Sequence, residues 1–340
     1  MGTKQHPLVS VLLPVRDAAD TLEDCLLSLA VQSLTDHEVI AVDDGSADGS
    51  GALLDDAARR DRRIRLLRTP PRGLVAALNL AAGEARAELL ARMDADDLAD
   101  ERRLELQAAR LRRDPETAIL GCRVRVTALS GAPGAGMTSY ADWQNGLVDH
   151  DAIARDLWVE SPLVHPSVML RAVALRGLGG YRDFAGPEDY DLWLRAAAAG
   201  LRFGKVPETL LDWRDRPGRL TRGDPRYRAD RFRALKLEHL ESGPLAGQRG
   251  VVIWGGGPIG KGWARALAGG GHRVEAFVEV DSRKLGGTIH GIPVVPVSGA
   301  AGYPGALHLA AVGQPGARAR IREEAARLGL EDGRDLIAVA

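Results

Sequence analysis

The sequence predicts an α/β protein built from two doubly wound sheets, a large one first and a small one closing the chain. Three observations predict this. Short apolar runs alternate with amphipathic helical runs from Leu8 to Met93. Several of the apolar runs end in acidic turns, at the sheet edge where parallel α/β folds collect ligands. After residue 249 the alternation restarts with a glycine loop of its own.

Each element follows from its pattern. Leu8 to Pro14 reads as a buried strand. A helix follows, with Asp20 at its cap, Glu23 three residues later, and Leu22, Cys25, Leu26 and Leu29 on one face. His37 to Asp43 is a second strand ending in the turn Asp44-Gly45-Ser46. A helix runs from Gly51 to Arg60, a strand from Ile64 to Arg68, a helix from Leu74 to Ala82, and a strand from Glu88 to Met93. Beyond Val126 the rhythm fades. Ser130 to Gly146 reads as a loop, and Trp158 to Arg214 holds short strands and the helix Tyr190 to Ala199. Arg216 to Arg233 is dense in arginine and is expected to wrap the surface. Glu241 to Gln248 has a linker's composition. The expected domains are therefore 1–240 and 249–340, with 241–248 as linker.

Composition excludes several classes. The 340 residues carry 45 basic and 46 acidic side chains, a net charge of −1, which offers no field for nucleic acid. Five of the basic residues are lysine and forty are arginine, so phosphate contacts fall largely to arginine. Cys25 and Cys122 lie far apart in apolar runs, as reduced core residues of a cytoplasmic protein do. Strand pattern begins by Leu8, leaving no room for a signal peptide. Gly291 to Ala317 is uncharged but broken by Pro293, Pro296 and Pro304, so no transmembrane segment is expected and any membrane association, at the inner face, is peripheral.

Four clusters carry the chemistry: Pro14-Val15-Arg16-Asp17, Asp43-Asp44-Gly45-Ser46, Arg92-Met93-Asp94-Ala95-Asp96-Asp97, and Gly186-Pro187-Glu188-Asp189-Tyr190-Asp191. Asp94 and Asp96 flank one residue at a strand end, where alternation puts both carboxylates on one side. Two hard oxygen ligands with a diphosphate suit Mg²⁺ or Mn²⁺, which would neutralise a leaving group. Taken alone, the same run is equally well a solvated acidic turn. Asp43-Asp44-Gly45-Ser46 is ordinary turn chemistry or a carboxylate for a base or ribose. Glu188 and Asp189 start a helix, where acids are favoured anyway, or supply a general base.

Order and spacing together carry a resemblance. From Pro7 to Arg222 the chain resembles the inverting family 2 glycosyltransferases of the GT-A fold, which are nucleotide-diphospho-sugar transferases. Pro14-Val15 is similar to that family's opening nucleotide loop, Asp43-Asp44-Gly45-Ser46 to its second turn, Asp94-Ala95-Asp96 to its DxD metal motif, and Glu188-Asp189 to its ED motif. Leu163-Val164-His165-Pro166-Ser167 resembles a stretch of members acting on surface polysaccharides. The resemblance implies a hexosyltransferase. Its donor, a UDP-sugar, would be bound by Pro14, Val15, Arg16, Asp43 or Asp44, Arg92 and Asp94. Metal would be held by Asp96 with Asp94, and Asp189, beside Glu188, would be the base. The acceptor implied is a hydroxyl of a glycan or lipid-linked molecule. The chain departs from the family at Arg16-Asp17, where Tyr-Asn is common, and at Trp213 to Gly218, where arginines stand in place of a histidine. Those arginines would clamp phosphate or form a solvated loop. His165 reads more readily as a hydrogen-bonded structural histidine than as a ligand.

In the closing block Gly255, Gly257 and Gly260 form G-x-G-x-x-G between a strand, Gly250 to Trp254, and a helix, Trp263 to Ala268. Asp281, 24 residues after Gly257, stands near the ribose-binding spacing. The block is similar to Rossmann-like domains attached to polysaccharide-biosynthesis enzymes. It is either a nucleotide site or a ligand-free scaffold. Three alternatives stand beside transfer: a nucleotidyltransferase, a non-catalytic sugar-nucleotide-binding regulator, and a dinucleotide-dependent enzyme centred on the closing domain.

Overall fold

Seven consecutive buried residues make Val9–Val15 (β1) a strand that water cannot reach from either face. His37–Asp43 (β2), Ile64–Arg68 (β3) and Leu89–Arg92 (β4) run parallel to it, in register Val9 to His37 and Val9 to Leu89. The strands on either side of it, β2 and β4, are buried throughout, while β3 at the sheet edge is half-buried. In the computed structural model, which describes residues 6–216, 218–247 and 250–340, this sheet continues with Leu98–Ala99 (β5), Thr117–Ala128 (β6), Met169–Arg171 (β7) and Arg202–Asp215 (β8). The order is β3-β2-β1-β4-β7-β6-β8-β5. β7 is antiparallel to both its neighbours and β5 to β8, so the sheet is mixed, not wholly parallel.

The helices match the expected apolar stripes. Leu22, Cys25, Leu26 and Leu29 of the helix Ala19–Ala30 enter the core beside Leu54, Leu104 and Leu111 from the helices Ser50–Arg60 and Arg103–Arg113. Asp20 does not cap the first helix. It lies within the first turn, and the capping acceptor is remote: Asp48 takes the Ala19 N–H at 2.9 Å while Ser50 takes that of Ala18 at 2.9 Å. The 130–146 segment is not all loop. Ala135–Gly146 is helical, with Ala141 and Gln144 buried and Met137 and Tyr140 packed on the core; its glycine-rich flanks hide that stripe in the sequence. Among the arginines of 216–233, a helix begins at Ala229 and runs to Glu241.

The chain packs as two units, 1–154 with 162–224, and 155–161 with 225–340. The division falls before the helix Ala229–Glu241, whose Leu240 joins Leu245, Val251, Trp263 and Phe277 in the second unit's core. Gln248, the last residue of the expected linker, Arg249, the first of the expected closing domain, and Pro217 lie outside the described residues. The second unit is a smaller α/β sheet. Its strands are Val251–Trp254 (β9), Val274–Val278 (β10), Thr288–Ile289 (β11), Ile292–Val295 (β12), Leu307–Ala310 (β13) and Leu336–Ala338 (β14), in the order β11-β12-β10-β9-β13-β14. All its pairings are parallel except the β11–β12 hairpin, and the glycine loop leads from β9 into the helix Pro258–Gly269.

Candidate active site

β2, β1 and β4 are adjacent and parallel, so the first three clusters necessarily emerge at one edge of the sheet. Internal bonds stitch the first two together. Asp17, held at the positive φ of 47°, accepts the Ala47 N–H at 2.8 Å and gives its own N–H to Ser46 Oγ at 3.1 Å. Asp43 Oδ1 accepts the Ser46 N–H at 2.9 Å. Asp44 is committed further. Its Oδ1 accepts from the Arg72 N–H at 2.7 Å and the Thr69 hydroxyl at 3.1 Å, its Oδ2 from the Gly73 N–H at 2.8 Å. Arg16 lies 3.5 Å from the same carboxylate. Asp44 thus braces the 69–73 loop.

Asp94, Asp96 and Asp97 place one oxygen each within 4.8 Å of one another. Burial pushes the Asp94 carboxyl up, outweighing the attraction of Arg92, and Asp96 adds to the rise. Burial pushes Asp97 well up, reinforced by Asp94 and Asp96. Their neighbours are cationic. The buried Arg92 guanidinium pairs with Asp94, Arg216 Nε donates to Asp96 Oδ2 at 2.6 Å, and Asp97 Oδ1 accepts the Arg214 N–H at 2.8 Å. Asp97 Oδ2 is buried without a hydrogen-bond partner among the described residues. Hard oxygen donors, mutual repulsion and an orphaned carboxylate oxygen together fit a divalent cation. The Asp94/Asp96 pair was singled out in the sequence; that Asp97 lies beside it was not, although the doubled aspartate at 96–97 was the available signal. From below, Cys25 Sγ donates to the Asp94 carbonyl at 3.3 Å and Thr21 Oγ1 to the Ala95 carbonyl at 3.0 Å.

At the end of β8 and just beyond it the arginines divide their work. Arg214, 5% exposed, donates to Asp24 at 3.0 Å, to the Thr21 carbonyl at 3.2 Å, and to the Asp96 carbonyl. Arg219 covers the Trp213 ring at 4.6 Å and donates to the Arg214 carbonyl at 3.0 Å. Arg222 pairs with Asp215 at 2.7 Å.

The fourth cluster opens the helix Glu188–Ala198, with Pro187 at its cap. Glu188 is buried, its carboxylate 3.7 Å from His165 Nδ1, while His165 Nε2 meets the Tyr181 hydroxyl at 3.0 Å. Burial, with Arg92 adding, holds the His165 pKa well below its usual range, so the ring is neutral. Asp191 is fully buried against Arg195 at 2.7 Å and Arg182 at 3.3 Å, and Arg195 in turn donates to the Leu178 and Gly180 carbonyls. Asp189 is half-buried, its Oδ1 accepting the Tyr190 N–H at 2.7 Å. Of the three acids it is the one water reaches best.

In the second unit, Gly255 takes a φ of 105°, and a Cβ on Gly260 would stand 1.8 Å from the Gly255 carbonyl oxygen. Asp281 pairs with its neighbour Arg283 at 2.9 Å, and that bond lowers its pKa to about 2. The residue that reaches the loop is Glu279, at the end of β10: its Oε1 accepts the Gly256 N–H and the Lys284 ammonium, each at 2.7 Å.

Residues 10–173 match Glycosyl transferase family 2. The putative glycosyltransferase EpsE of Bacillus subtilis (strain 168) is 32% identical over 214 residues, 62% of this chain and 73% of that protein. EpsJ of the same organism, an uncharacterized glycosyltransferase, is 40% identical over 91 residues, 27% of this chain and 26% of the relative. Among solved structures, S. aureus TarS 1-349 in complex with UDP has a TM-score of 0.53 at 18% identity, covering 69% of this chain and 65% of that one. The mannosyltransferase PcManGT from Pyrobaculum calidifontis, in complex with GDP-Man and Mn2+, has a TM-score of 0.51 at 23% identity, with coverages of 70% and 63%. Likeness to these structures is one of fold, the GT-A fold.

Proposed function

The chain belongs to glycosyl transferase family 2, a glycosyltransferase using a nucleotide sugar, and from that premise we propose that it transfers hexose from a UDP-sugar with inversion. The observation that carries the reading is the carboxylate triad at the end of β4 with its orphaned Asp97 oxygen. Asp94, Asp96 and Asp97 would hold Mg²⁺ or Mn²⁺, and the ion would neutralise charge on the departing diphosphate. Asp43 reads the base in preference to Asp44, whose two oxygens already serve the 69–73 loop. Pro14, Val15 and Arg16 line the same edge, and the buried Arg92 sets the position and charge of Asp94.

Asp189 takes the proton from the acceptor hydroxyl, whose oxygen displaces the diphosphate in one step and so inverts the anomeric carbon. Its exposure supports this role, since Glu188 and Asp191 are buried. The acceptor class, a glycan or lipid-linked hydroxyl in surface polysaccharide synthesis, rests on the Leu163–Ser167 run alone. No described helix is long and apolar enough to cross a membrane. For the second unit we propose a ligand-binding or recruitment role at the Gly255 loop, outside the transfer chemistry.

The test is calorimetry of UDP with Mn²⁺ on wild type and Asp96→Asn. Wild type binds and the variant loses metal-dependent affinity. Equal affinity in the two proteins removes Asp96 from the metal site.

A further inference from the structure

Arg216 stands apart from the other arginines at the end of β8 and just beyond it. Arg214 is buried and divided among Asp24, Thr21 and the Asp96 backbone, Arg219 lies on Trp213, and Arg222 is tied to Asp215. Arg216 instead places its Nε 2.6 Å from Oδ2 of Asp96, a carboxylate of the metal-binding triad, and its side chain is 31% exposed. Three neighbouring carboxylates repel one another, and a guanidinium on Asp96 offsets part of that repulsion. A divalent ion and this guanidinium are two cations for one carboxylate. Arginine is also the side chain best shaped to grip a diphosphate once it leaves.

We propose that Arg216 is the exchangeable counter-cation of Asp96 in the donor-free enzyme and moves from Asp96 to the donor's diphosphate when metal and nucleotide bind. This rests on the donor-site reading above. The exchange makes the two ligands cooperative: metal releases the arginine that the diphosphate needs, and the diphosphate holds the arginine away from the metal's ligand. Linkage requires each to strengthen the other by the same factor.

The proposal gives opposite signs to one substitution. Removing the guanidinium removes a competitor for Asp96, so Mn²⁺ alone binds Arg216→Ala about three- to fivefold more tightly, the scale of a partly exposed ion pair. The same change removes a diphosphate contact, so UDP at saturating Mn²⁺ binds about tenfold more weakly. Calorimetry with Mn²⁺ alone and then with UDP measures both, and Arg216→Gln repeats the test with a side chain of similar reach and no charge. Metal-free thermal midpoints within a few degrees of wild type establish that each variant folds; should Arg216→Ala fall outside that window, Arg216→Gln decides. Tighter Mn²⁺ and weaker UDP support the exchange. Mn²⁺ affinity that is unchanged or reduced, or UDP affinity that is unchanged, overturns it. If wild type itself shows no Mn²⁺-dependent UDP binding, the donor-site reading fails first, and the exchange with it.

Discussion

Asp43 and Asp44 are adjacent, both buried and both acidic, yet the structure gives them separable duties. Replacing Asp44 by alanine would strand the Arg72 and Gly73 N–H groups and the Thr69 hydroxyl. A buried donor left without a partner costs about 1–3 kcal/mol, and these are only partly buried, so three of them sum to about 3 kcal/mol. For a chain of 340 residues that is a fall of about 4 °C in Tm. Asp44→Asn would be milder: one side-chain oxygen can keep the Arg72 and Thr69 bonds, and the new amide faces the Gly73 N–H, costing about 1–2 kcal/mol. Asp43→Asn preserves an acceptor for the Ser46 N–H, so its Tm stays near wild type while UDP affinity falls about tenfold. Thermal unfolding followed by tryptophan fluorescence, with UDP calorimetry well below each midpoint, separates the two. Wild-type stability in Asp44→Ala, or wild-type UDP affinity in Asp43→Asn, would refute the division.

Asp189→Asn is expected to keep UDP binding and to lose turnover by about 10²- to 10⁴-fold; near-normal turnover on a working acceptor would shift the base to Glu188. Gly260→Ala places a Cβ 1.8 Å from a backbone oxygen that cannot yield, so it should destabilise the protein by about 4 kcal/mol or more, read as an early unfolding transition. Lys236 is buried with Nζ 2.7 Å from the Val159 carbonyl, and burial lowers its pKa to about 8. The unfolded lysine therefore binds more protons than the folded one between pH 8 and the ordinary value of about 10.5, so stability from this group rises with pH across that window. Its full cost, about 3 kcal/mol, is present below pH 8. Lys236→Met should remove that rise in urea titrations at pH 8 and 10.5; an unchanged slope would contradict it.

What the sequence made legible was what local pattern controls. The first strands and helices were readable because their apolar spacing and their burial are the same fact, as Val9–Val15 shows. That the first three clusters share one edge was readable because parallel neighbours must deliver their ends to one edge. What escaped depended on distant partners. Asp48 and Ser50 cap a helix thirty residues earlier in the chain, and no spacing rule links them to Ala18 and Ala19. The helix Ala135–Gly146 was hidden because its glycines suggested loop while its burial came from the sheet beneath. Asp281 had nearly the right spacing for the glycine loop, yet Glu279, at the strand's end, was the one in reach. Arg214 and Arg216 gain their meaning only from aspartates well over a hundred residues away.

Cys25 gives the acid cluster a second use, as a probe. Its thiol is buried under Asp94, and burial drives its pKa up, so a thiol reagent meets almost no thiolate while the helix Ala19–Ala30 stays in place. Cys122, the other free cysteine, is buried in β6 with its pKa raised to about 11. Each sulfur is modified only through an excursion that exposes it, and the two sit in different places, Cys25 on a helix and Cys122 within a strand of the sheet. Labelling rates at the two positions therefore time how often each part opens. Slowing at Cys25 alone on adding Mn²⁺ and UDP would place the ligands' grip at the metal edge, with no engineered label in the protein.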